Sequence, residues 1–426
     1  MDKIKDFIKY PDNIEHYDTS KMPRRQPFAF TLLLYLISRA FMPPKVRNYK
    51  IEKINMQDVK PPYILLCNHM HFLDIQMNCI ASYPNRLNNI STIEGFFHRE
   101  KLMERLGCIC KRKFTTDLSL VRASYKVLHE YGDVLCMYPE ARYSPIGTTA
   151  ILPDSLGKLV KKCGVPVVTL MHHGNYLQAP FWDFRRRRKV PLHSVMKPIL
   201  AAEDVKNLSA DEINNLIRKE MEYDEYKYQK ENNIKITEDF RAEGLHKVLY
   251  QCPECGTEYE MNSKGTRLFC EHCKKEWELT ELGELKALHG ETRFSHIPDW
   301  FEWERSQVRE QLENGTYKFC DNVRVYSLPN TKKYEYLGDA VLTHDKENGF
   351  VLEGEYNGEK YRVVRPPQSM YGLHIEYDYC HIEPLDCVDI STKNDSFYCY
   401  PSQKNSVTKL SFATEEMYKM IKEKRP

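Results

Sequence analysis

Apolar and polar positions follow two periods along the first half of the chain. Unbroken apolar runs stand at 63–67, 89–93, 106–110, 134–138, 165–170 and 193–197, and helical stretches lie between them near 75–82, 98–105, 117–131, 154–163 and 209–222. Short apolar runs without polar interruption read as strands buried on both faces. Their alternation with helices predicts an α/β domain with a mostly parallel sheet over 61–240. Ser209-Ala-Asp-Glu opens the last helix as a capping box, with Ile213, Leu216 and Ile217 on its buried face. The tract 222–239, rich in Tyr, Lys, Glu and Asn, reads as a linker or exposed helix.

The second half has a different texture. From about residue 325, short alternating segments at 334–342, 349–356, 359–364, 372–377, 388–390, 396–400 and 406–412 read as strands, with Asn357-Gly358 as a two-residue hairpin turn. A closing helix from Thr414 places Met417, Met420 and Ile421 on one face. Strands followed by one terminal helix look like a pleckstrin-homology-type barrel over 325–426, expected to dock on lipid, protein or the first domain. The segment 286–324, with Trp300 and Trp303, connects to it and has no further assignment.

At the other end, 28–42 is apolar and carries Arg39, with Lys21, Arg24 and Arg25 before it and Lys45 and Arg47 after it. A bilayer crossing needs about 20 residues, so fifteen or so are too few. Pro43-Pro44 stops the helix. The expectation is an interfacial helix within a membrane-interacting region 1–60, its apolar body in one leaflet and its basic flanks on anionic headgroups. The alternative is a helix buried against the first domain.

Composition narrows the class. With 42% hydrophobic and 29% charged residues the chain is that of a folded soluble or peripheral protein. A net charge of +2 gives no reason to expect a nucleic-acid partner. Fourteen cysteines without a signal peptide argue for a reducing compartment, with thiols or a metal in place of disulfides. Cys252-Pro-Glu-Cys255 and Cys270-Glu-His-Cys273 form two Cys-x-x-Cys knuckles. Four thiolates close a tetrahedral shell, so a structural zinc is expected in a ribbon over 245–285. His272 is a bystander in this reading.

The candidate chemistry begins at Asn68-His69-Met-His71-Phe-Leu-Asp74, after the first apolar run. Asn68 can cap the following helix, and His69 falls in the strand-to-helix turn. Asp74 can then hold one imidazole nitrogen and leave the other basic. Downstream come Gly107-Cys-Ile-Cys-Lys111-Arg112-Lys113, Tyr138-Pro-Glu140-Ala141-Arg142-Tyr143-Ser144 and the run from Val165-Pro166-Val167. The order of these blocks resembles the 1-acylglycerol-3-phosphate O-acyltransferase family over about residues 28–225. The resemblance implies transfer of a fatty acyl group from acyl-CoA or acyl carrier protein to the hydroxyl of a membrane lysophospholipid, most readily 1-acylglycerol-3-phosphate. His69 is the implied base and Asp74 its orienting partner; Asn68, Arg112, Lys113, Glu140, Arg142 and Ser144 are the implied substrate groups. It further implies a place at the cytoplasmic face of a membrane, peripheral or monotopic.

The chain departs from the family pattern at several positions. Ala141 stands for the usual Gly, Arg142 for Thr, Tyr143 for Arg and His71 for Ser, while Arg112 arrives one place early. A non-catalytic lipid-binding scaffold is the alternative. His172-His173 is expected to serve a pocket or loop. Arg185-Arg-Arg-Arg-Lys189 reads as a solvated loop, or as a contact for anionic lipid or an acidic carrier.

Overall fold

The computed structural model describes residues 8, 10–11, 14–42, 48–115 and 118–423. The expected helix stop at Pro43-Pro44 and the basic flank Lys45 and Arg47 lie outside the described residues. The strands in chain order are β1 (Tyr49–Lys53), β2 (Tyr63–Cys67), β3 (Leu87–Thr92), β4 (Ile109–Lys111), β5 (Val134–Met137), β6 (Val167–His173) and β7 (Leu192–Leu200). The helices of this half are α1 (Phe28–Ala40), α2 (Leu73–Ser82), α3 (Ile93–Phe96), α4 (Glu100–Arg105), α5 (Leu118–Tyr125), α6 (Ser155–Cys163), α7 (Asn175–Gln178), α8 (Ala202–Asn207), α9 (Ala210–Met221) and α10 (Glu225–Glu231).

The seven strands form one sheet in the order β1-β7-β6-β2-β5-β3-β4. All its pairs are parallel except β6 with β7. Both faces are covered, which is why β2 is apolar throughout. Ile64 and Leu66 join a core with Leu135, Val160, Ile213 and Ile217 beneath α6 and α9. Tyr63, Leu65 and Cys67 pack on the opposite face with Cys136, Val168 and Leu170. From β2 the chain continues toward β5, β3 and β4, whereas β6 returns on the other side of β2. The winding reverses there, and in open parallel sheets the crevice at the carboxyl ends of such strands is where ligands sit.

The remaining strands are β8 (Met261–Lys264), β9 (Arg267–Cys270), β10 (Glu276–Leu279) and β11 (Leu285–Ala287) in an antiparallel ribbon, and β12 (Phe319–Ser327), β13 (Glu335–Asp345), β14 (Gly349–Tyr356), β15 (Glu359–Arg365), β16 (His374–Glu376), β17 (Cys387–Ser391) and β18 (Ser396–Pro401) in a second antiparallel sheet. The second sheet runs β15-β14-β13-β12-β18-β17-β16. Its edge strands β15 and β16 do not pair with each other among the described residues, so it is not the closed barrel expected. Helices α11 (Ile297–Glu313) and α12 (Val407–Glu423) pack against one another and complete this half.

Three expectations change. The strand expected at 406–412 is the start of α12, where Val407, Leu410, Phe412 and Ala413 are buried together with Thr408 and Ser411. Burial around nearly the whole helix removes the apolar stripe by which a helix is recognised. The connector contains α11, whose Trp300 is fully buried against Trp277 of the ribbon at 5.0 Å between rings. The tract 222–239 contains α10, with Glu225, Tyr226 and Gln229 buried.

One continuous core joins Met70, Tyr176 and Trp182 of the first half to Trp277, Trp300 and the inner face of the second sheet. Of the docking partners expected for the β-rich half, the first domain is the one these contacts contain. The basic run 185–189 is packed in part: Arg188 is 1% exposed, bonds Asp183 at 3.0 Å and lies over Trp182 at 5.1 Å, while Arg185 and Lys189 are exposed as expected for a solvated loop.

Among the described residues no helix is long and apolar enough to cross a membrane. Helix α1 is turned inside out for a soluble protein. Thr31 and Ser38 are its buried residues, while Phe28, Leu32, Leu33, Leu36 and Ile37 are exposed, as is Phe41 beyond its end at 72%. Its seat on α2 is made partly by a stacked pair, Tyr35 on Tyr83, at 4.2 Å.

Candidate active site

His69 follows the last residue of β2 and precedes α2, so it lies in the turn at the carboxyl end of the central strand. The turn is shaped by Asp74, which is fully buried at the second position of α2. Its Oδ2 accepts hydrogen bonds from His69 Nδ1 (3.1 Å), Met70 N (2.7 Å) and His71 N (3.0 Å). Its Oδ1 accepts from Asn175 Nδ2 at 2.6 Å. Burial alone would raise the Asp74 pKa, yet the bonds from His69 and Asn175 and the nearby imidazoles hold it below the usual carboxylate range. With Nδ1–H donated to this carboxylate, His69 keeps its Nε2 lone pair.

The imidazole is 16% exposed, whereas Asp74 is inaccessible. It lies between two tyrosines, stacked on Tyr138 at 3.9 Å and tilted against Tyr143 at 4.1 Å. Burial pushes His71 and His172 down to about 4, so both rings are neutral near pH 7. His172 bonds Ser194 and Asn78 and serves the packing behind the turn.

Glu140 is buried beneath the same turn. Its two oxygens accept from His69 N (3.3 Å) and Ala150 N (3.0 Å), and burial raises its pKa to about 7. It ties the loop after β5 to the turn after β2. Ser144 adds a backbone bond, its N–H donating to the His69 carbonyl at 2.8 Å, and its hydroxyl donates to the Thr148 carbonyl. Ala141 adopts φ 56°, the left-handed region that glycine occupies without strain. The loop thus keeps a glycine-type turn, at a cost of about 1–2 kcal/mol for the Cβ.

Asn68 does not cap α2, whose N-cap position is Phe72. Its amide exchanges two bonds with the backbone of His172, accepting from N at 2.7 Å and donating to O at 2.9 Å, and so extends the β2–β6 pairing. The three implied cations are likewise turned inward. Arg112 and Lys113 end in the interface with β17, β18 and the loop before residue 330, and Arg142 ends on α12. Arg142 pairs with Glu415, which also pairs with Arg305 of α11. Replacing Arg142 by Met leaves Glu415 buried with one partner fewer and should cost roughly 3 kcal/mol of unfolding free energy. An unchanged urea midpoint would contradict that role.

Two contributors carried no signal in the sequence reading. Asn175 follows Gly174, whose left-handed φ of 86° turns the chain after β6. Glu225, in the tract read as a linker, accepts from Gly174 N at 2.5 Å and is raised to about 8 by burial. Together they bring Asn175 to Asp74.

No family model matches the chain, and no curated protein matches it. Among solved structures it is similar to the 1-acyl-sn-glycerophosphate (LPA) acyltransferase PlsC from Thermotoga maritima, with a TM-score of 0.33 at 13% identity, over 45% of this chain and 78% of that one.

The second site is a thiol cluster. The sulfurs of Cys252, Cys255, Cys270 and Cys273 all lie within 4.8 Å of one another. The Sγ–Sγ distances are 3.7 Å for Cys252–Cys273 and 3.8 Å for Cys255–Cys270. A tetrahedron with metal–sulfur bonds of about 2.3 Å has edges of about 3.8 Å. The four thiols therefore fit a metal ion. Gly256, at φ 74°, makes the turn after the first knuckle.

Proposed function

We propose that the protein transfers a fatty acyl group from a thioester, on coenzyme A or acyl carrier protein, to a hydroxyl of a membrane lipid. The observation that supports this reading is the partly open His69 imidazole, 3.1 Å from a buried Asp74 that four hydrogen bonds fix in place. The acceptor hydroxyl attacks the thioester carbonyl, forming the new C–O bond. His69 Nε2 takes the hydroxyl proton during the attack and returns it to the departing sulfur as the C–S bond breaks. Asp74 holds the imidazole in the required tautomer and stabilises the imidazolium. The acceptor is itself the nucleophile, so the chemistry requires no acyl-enzyme.

The reading is tested by release of free thiol from palmitoyl-CoA or palmitoyl carrier protein, with and without a mixed lysolipid extract. Acceptor-dependent release is expected. Release from neither donor would overturn acyl transfer and favour a non-catalytic lipid-binding scaffold.

The exposed face of α1 supports a peripheral membrane position, on the cytoplasmic side if the cysteines stay reduced. Burying a leucine in the interface is worth up to about 1.5–3 kcal/mol. Leu33→Ser with Leu36→Ser should therefore weaken sedimentation with liposomes by about tenfold or more. Unchanged sedimentation would move the contact elsewhere on the surface. The four cysteines would hold zinc in a closed shell that leaves no position for substrate, so the metal serves the fold.

A further inference from the structure

The cations that a phosphate-bearing acceptor would need are engaged inside the protein. Arg112, 2% exposed, donates to the carbonyls of Leu328 (2.9 Å) and Pro329 (3.0 Å) and to Ser396 Oγ (3.1 Å). Lys113 lies 3.1 Å from Glu94 and 3.4 Å from Asp389. Arg142 donates to the Leu373 carbonyl (3.0 Å) and Ser411 Oγ (2.8 Å) and pairs with Glu415. Apart from Glu94, these partners belong to the second half of the chain, and they engage both terminal nitrogens of Arg112 and Arg142 and the ammonium of Lys113.

Beside His69 the surroundings are aromatic. Tyr143 takes the place where the resemblance sets an arginine, with its ring 4.1 Å from the imidazole. Phe181 stands behind Tyr143 at 5.9 Å and Tyr377, the residue after β16, behind Phe181 at 5.4 Å, so the second half of the chain supports this wall. Among the positive charges felt at the turn are those of Arg187, acting on His71, and of Arg142, acting on Glu140. A phosphate monoester carries about −1.5 to −2 charges at pH 7, and bringing it into a partly buried site whose arginines already hold partners within the protein is costly. An uncharged glycerol or sugar-like headgroup meets no such cost.

We infer that the acceptor hydroxyl is carried by an uncharged headgroup, as in a monoacylglycerol, and not by a glycerol phosphate monoester. This rests on the acyl-transfer reading above. The test uses the full chain and one labelled acyl-CoA, with 1-oleoylglycerol, 1-oleoylglycerol 3-phosphate and oleoyl-lysophosphatidylcholine supplied separately in the same neutral micelles. The expected result is a kcat/KM for 1-oleoylglycerol at least tenfold above that for either charged lipid. Tyr143→Arg should then shift the ratio toward the phosphate monoester. Preference for the phosphate monoester or for the phosphodiester overturns the inference and leaves acyl transfer standing. Transfer to none of the three, without acceptor-dependent thiol release, overturns both.

Discussion

His69→Ala is expected to remove most of the proposed acyl transfer from a protein that still folds. The imidazole is the partly open basic group of the site, and a positioned general base contributes about 10²- to 10⁴-fold. A fall of kcat by about 10³-fold is therefore expected. The variant should still fold, because Asp74 keeps its bonds from Met70 N, His71 N and Asn175 Nδ2, although the lost bond to a buried carboxylate and the lost ring between Tyr138 and Tyr143 should cost about 1–3 kcal/mol. Asp74→Asn is a second probe of the same geometry. Its amide nitrogen would face the Asn175 amide nitrogen, but Asn175 Oδ1 is buried without a partner, so a flip of the Asn175 amide restores the bond. The variant should fold and lose about 10²-fold or more, because the charge opposite the imidazolium is gone. Activity and melting temperature measured on both variants separate catalysis from packing.

Chelating the zinc expected at the four cysteines should have the largest effect on stability. The ribbon strands are three or four residues long, too short to hold themselves by pairing. Structural zinc in small thiolate sites binds with about 10–16 kcal/mol, most of which appears as folding free energy. Cys252 and Cys270 share the core of Trp277 and Trp300, so loosening the knuckles undermines α11 and the second sheet beyond it. About one zinc per chain is expected by elemental analysis, with a fall in melting temperature of well over ten degrees on chelation or in Cys252→Ser with Cys270→Ser. A metal-free protein with an unchanged transition would remove the ribbon's zinc from the account.

What the sequence made legible was local. β2 matches the apolar run at 63–67 residue for residue, and the His69–Asp74 spacing places both groups in one turn because a strand must end before a helix begins. The knuckles were readable for the same reason, with two ligands per tight turn. What stayed hidden depended on partners far along the chain. Arg112 and Leu328 are 216 positions apart, and Arg142 and Ser411 are 269 apart, so no spacing shows these cations to be engaged. Glu225 looked like part of a charged linker because a single buried carboxylate holding a backbone turn leaves no periodic trace. The polar residues within 406–412 concealed a helix for the converse reason, being buried along with their apolar neighbours.

Base-assisted acyl transfer at His69 is tested by following label from an acyl thioester into lipid, with wild type and His69→Ala side by side. One labelled acylated lipid is expected with the wild type and at most about a thousandth of it with the variant. Equal labelling by both proteins would contradict it.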